Sequence, residues 1–160
     1  MCFVLYIASP KPSPIIAWDE VTRGIHTEEL TDRDMGVRNQ FTFPHVRYIG
    51  SDKHCGCGFR NATFQNGCWP EEEWHPDEDT SHIEAQPNHE RLIAFVKQHL
   101  GDQPSCEFYG IWEGDFSAPA LSDQAIDLDR LADLEFYFRD RGHYTVTIDT
   151  KANKSALDNP

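Results

Sequence analysis

The chain has 160 residues, 39% of them hydrophobic and 12% aromatic, enough to bury the core of one domain without disulfide staples. A net charge of −13, with 14 Lys and Arg against 27 Asp and Glu, argues against nucleic acid or an anionic membrane as a partner. The longest apolar run, Cys2 to Ala8, is far too short to span a bilayer and follows no basic region, so a cytoplasmic location and reduced thiols are expected.

Residues 2–8, CFVLYIA, are apolar on both faces, as a central strand covered on both sides would be. The prolines of SPKPSP (9–14) end it, because proline cannot donate to a ladder. A second strand is expected at 25–30, and 31–41 reads as a short helix opening at Thr31. Residues 45–50 (HVRYIG) and 54–60 (HCGCGFR) read as two strands of a hairpin joined through Ser51-Asp52-Lys53. Val46 and Tyr48 then face inward. Cys55, Cys57 and Phe59 share a face with Arg60 opposite, so burying Phe59 carries both thiols inward.

The segment 71–84 holds seven acidic residues and no basic one, which predicts an acidic surface loop over 71–85. A helix follows, with Pro87 in its first turn, Leu92, Ile93, Val96 and Leu100 at helical spacing, and Gly101 as its stop. Strands are expected at 106–114 and 142–148. Between them, 125–136 fits either a strand leading into a turn or one short helix. The order of elements implies an α+β fold: a single globular domain over 1–150, with a mixed, largely antiparallel sheet and one long helix packed on a face. Residues 151–160 read as a flexible C-terminal tail.

Chemistry concentrates in His54-Cys55-Gly56-Cys57-Gly58, read together with Cys2. Thiolates are soft ligands and strong nucleophiles, and the flanking glycines leave room around the sulfurs. On one regular strand the Cα atoms of Cys55 and Cys57 would stand about 6.6 Å apart, which allows convergence on a metal and strains a disulfide. A zinc site needs four ligands, and Cys2, Cys55, Cys57 and His54 are the expected set. His54 points to the opposite face of a regular strand, and Cys68 is an alternative to it. The C-x-C spacing differs from the usual C-x2-C pairs of zinc sites.

Weaker signals accompany this one. His75 and His82 lie among carboxylates, but without calcium-loop spacing. Trp69 and Trp74 flank the acidic run, where exposed rings can anchor a protein partner. Asp127/Asp129 and Asp133/Glu135 read as ordinary surface charge, and His45 and His143 as structural histidines. Phosphate loops, nucleophile elbows and dinucleotide fingerprints are absent from the sequence.

The opening Met1-Cys2-x-x-Leu5-Tyr6-x-Ala8, with Gly50-Ser51-x-x-x-Cys55-Gly56-Cys57-Gly58-Phe59, resembles a group of small uncharacterised bacterial proteins. The resemblance covers the first third of the chain and implies no activity. Three functional readings stand at this point. The first is a cysteine-based, zinc-like metal site of structural or regulatory role. The second is a thiol-redox or cysteine-nucleophile enzyme using Cys55/Cys57 or Cys2. The third is an acidic protein-interaction module whose thiols are incidental.

Overall fold

Strand β1 (Phe3–Ser9) occupies the middle of the sheet because both its faces are apolar. Phe3, Leu5 and Ile7 are buried on one side, and Tyr6 and Ala8 on the other. The computed structural model describes residues 2–62 and 81–149. Among these, β1 is flanked by β3 (His45–Gly50) and β5 (Ser105–Trp112), both antiparallel to it. Beyond β3 lies β2 (His26–Glu28). Beyond β5 lies β8 (Gly142–Thr147), and then β6 (Ser122–Asp127), which runs parallel to β8. The six-stranded order is β2-β3-β1-β5-β8-β6. A separate parallel pair joins β4 (Asn61–Ala62) to β7 (Phe138–Arg139).

One face of the sheet is covered by helix α2 (Gln86–Leu100), which follows the short α1 (Ser81–Glu84). Its buried stripe of Leu92, Phe95, Val96 and Leu100 packs in the cluster that holds Phe3, Leu5, Ile7 and Phe108. Each such side chain contributes about 1.5–3 kcal/mol on burial. The opposite face is closed by a 3-10 stretch, Met35–Gln40, through Val37, and by Phe116, over Tyr6, Val46 and Tyr109. The fold is thus α+β: a mixed, mostly antiparallel sheet with one long helix against it.

The expected second hairpin strand is not formed. Residues Gly56–Gly58 make a single 3-10 turn, and the short β4 pairs with β7 rather than with β3. Both edges of β3 are already taken, by β1 and β2, so no third strand can join it. The inward parity of the two cysteines therefore does not apply; both sulfur-bearing residues are half-buried, while Phe59 is fully buried. Arg60, expected to face away from Phe59, is buried as well. Its guanidinium donates to the carbonyl oxygens of Phe136 (2.7 Å), Leu131 (2.9 Å) and Asp133 (2.9 Å) and to Gln86 Oε1 (2.7 Å), which replace lost water.

Elsewhere the differences are local. The expected helix at 31–41 is the 3-10 stretch, since Gly36 lowers α-helical preference, and the expected strand at 25–30 shortens to three residues. Segment 125–136 takes the first of its two alternatives: β6 runs into a 3-10 turn at Leu128–Ala132. In the expected acidic loop, Ser81–Glu84 is helical, while 63–80, with Cys68, Trp69, Trp74 and His75, and the tail 151–160 lie outside the described residues.

Candidate metal centre

The turn Gly56–Gly58 lies against the start of β1 because Gly56 carries no side chain. A Cβ there would stand 2.8 Å from the Phe3 carbonyl oxygen, a backbone atom that cannot swing aside. That approach brings Cys57 to β1, where its Sγ accepts the Phe3 N–H at 3.1 Å. Cys55, extended and just ahead of the turn, accepts the Cys57 N–H on its own sulfur at 3.4 Å. Cys2 precedes Phe3 directly, and its carbonyl accepts the N–H of Glu113 beyond the end of β5 at 2.9 Å. The three sulfurs consequently lie within 4.8 Å of one another. A metal with bonds to sulfur of about 2.3 Å spans up to about 4.6 Å between two sulfurs, and Cys2 is exposed.

The surroundings of Cys55 favour its neutral thiol. Burial pushes the Cys55 thiol up to about 12. The Cys57 N–H opposes that shift, and the adjacent Cys57 and Cys2 thiols add to it. Reactive thiols are instead lowered by a cation or a helix N-terminus. Two N–H donors already reach sulfur, the usual outer support of thiolate ligands. Cys106, wholly buried in the main core, is pushed up to about 12 by burial and takes no part in the cluster. All four cysteines among the described residues are free thiols.

His54, the fourth expected ligand, is placed in a different group. Ser51 N–H donates to Cys55 O (2.9 Å) and His54 N–H to Ser51 O (3.1 Å), closing a three-residue loop over Asp52–His54. Loops of this length commonly end on a left-handed residue, and His54 has φ 58°. The imidazole stacks on Trp18 (centroids 4.9 Å apart) and lies 5.1 Å from the ring of His26. His26, Glu28 and His54 offer one ligand atom each within 4.8 Å of one another.

Sequence reasoning missed His26 and Glu28. Their signal was the i, i+2 spacing, which places both on one face of β2. Burial holds His26 below the ordinary histidine value; Glu28 opposes that shift and His54 adds to it. Tyr48 borders both groups, lying opposite Glu28 across the β2–β3 ladder, with its phenol raised by burial and then by Cys55, Glu28, Cys57 and Cys2. His45 is exposed, and His143 is tied to Asp123 at 2.9 Å.

No protein family model, curated protein or solved structure matches the chain. No helix among the described residues is long and apolar enough to cross a membrane.

Proposed function

We propose that Cys2, Cys55 and Cys57 together bind one zinc-like ion, in a structural or regulatory role. The observation that carries this reading is the convergence of three sulfurs, one from the start of β1 and two from the 3-10 turn. Three thiolates suit a soft or borderline cation and leave one tetrahedral position for water or an added ligand. The ion would clip residue 2 to residues 55 and 57. Cross-links of such long loops restrict the unfolded chain and stabilise by about 2–4 kcal/mol in the disulfide case.

The test is metal analysis of untagged protein, with thiols counted before and after chelation. One equivalent of zinc per chain is expected. Chelation should expose three additional reactive thiols and lower the melting temperature, and Cys2→Ser should reproduce that loss. Freely reactive thiols in untreated protein, with no bound metal and no response to chelator, would overturn the reading.

A further inference from the structure

The geometry points to a second, chemically distinct metal site formed by His26, Glu28 and His54, which takes a borderline divalent transition-metal ion. Three observations carry it. First, the ligand atoms already converge, with His26 Nε2 3.9 Å from Glu28 Oε1, inside the span of two bonds of about 2.1 Å. Second, His26 is 1% exposed, yet neither ring nitrogen has a hydrogen-bond partner among the described residues. A buried imidazole normally satisfies at least one nitrogen, and leaving both unpaired is costly.

The third observation is how tightly the ring is held. The His26 ring lies close against Gly50, where a Cβ would come within 1.9 Å of its ring carbon. Trp18 packs edge-on at 5.1 Å and Tyr48 closes another side at 5.6 Å. Trp18 is brought there by the bridge between Ile16 and Thr27, in which the Thr27 N–H donates to Ile16 O at 2.9 Å. The result is one rigid, preorganised ligand beside two exposed ones, Glu28 and His54, that can adjust their rotamers to an ion.

Two imidazoles and a carboxylate disfavour calcium and magnesium, which prefer all-oxygen shells, and suit zinc, iron(II), cobalt(II) or nickel(II). Three protein donors leave positions open to water or a small ligand. This site does not depend on the cysteine site, although His54 and Cys55 are adjacent on one loop.

Cobalt(II) titration of the untagged apoprotein under reducing, anaerobic conditions separates the two. A cobalt ion on sulfur shows strong thiolate-to-metal charge transfer; one on His26, Glu28 and His54 shows none, but quenches Trp18 fluorescence. The wild type should take up an equivalent of the second kind. Glu28→Gln and His54→Gly should each lose it while retaining any thiolate-type equivalent. Glu28 is exposed, so Glu28→Gln should leave apoprotein melting unchanged; glycine suits the positive φ at 54, so His54→Gly should stay folded although it loses the stack on Trp18. Trp18→Phe should lose the quench and keep the ion. Uptake of thiolate-type cobalt alone by the wild type would overturn the proposal, as would variants that keep the non-thiolate equivalent. Failure of the cysteine site would remove only the charge-transfer signal.

Discussion

His89 shows how a single side chain can be held in one protonation state. It lies fully buried on α2, where its Nδ1–H donates to Leu131 O at 2.8 Å and its Nε2 accepts the Arg60 N–H at 3.0 Å. The second bond requires the neutral ring, because a protonated Nε2 could not accept. Burial first, and then the Arg60 charge, pushes its pKa down from 6.5 to about 3. The unfolded chain binds the proton more readily, so stability is complete above about 6.5 and is lost as pH falls from there toward about 3. The loss amounts to about 1.4 kcal/mol for each pH unit. His89→Gln keeps a donor and an acceptor but cannot titrate. In urea unfolding with chelator present, the variant should lose less stability than the wild type between pH 6.5 and 4.5. Equal slopes would show that His89 is not the group responsible.

At the scale of elements, the turn Gly56–Gly58 is what joins the cysteines to β1. Its position depends on contact with the Phe3 carbonyl, and Gly56→Ala would place a methyl carbon 2.8 Å from that oxygen. The turn must then retreat, stretching the bond from Phe3 N–H to Cys57 Sγ. A cost of about 1–3 kcal/mol is expected, as for other overpacked positions. Metal retention should fall as well, because Cys57 moves away from Cys2. The same substitution with undiminished metal content and melting temperature would show that the close approach is unnecessary. β3 acts similarly at a distance: its pairing with β2 sets Glu28 opposite Tyr48 and His26 opposite Gly50.

Across the whole molecule, the excess of acidic residues should govern the response to salt. Ion pairs such as Lys11–Asp102, Arg33–Glu113 and Lys97–Asp129 are largely exposed, and each contributes about 0–1 kcal/mol. Screening weakens these pairs, but it also relieves the self-repulsion of a chain carrying a net charge of −13. Repulsion dominates at this imbalance, so the melting temperature of the apoprotein should rise as sodium chloride is brought from low to physiological strength. A fall would mean that the ion pairs outweigh the net charge.

The sequence by itself determined those elements whose evidence is local. The two-faced apolar run of β1 suited a central strand, and the spacing of Leu92, Val96 and Leu100 suited one face of a helix, as the structure has them. The adjacency of Cys55 and Cys57 marked the candidate centre for the same reason, since neighbours in the chain are neighbours in space. Tertiary structure decided the remainder. Cys2 reaches the pair only because the turn crosses the start of β1, and that turn exists because β2 and β1 occupy both edges of β3. His54 leaves the cysteines through a left-handed backbone that no periodicity announces, and meets His26 and Glu28 from a strand about 26 residues earlier. Periodicity reports which face a residue takes within its own element; which elements then meet depends on pairing and register, and these are settled by the energy of the whole sheet.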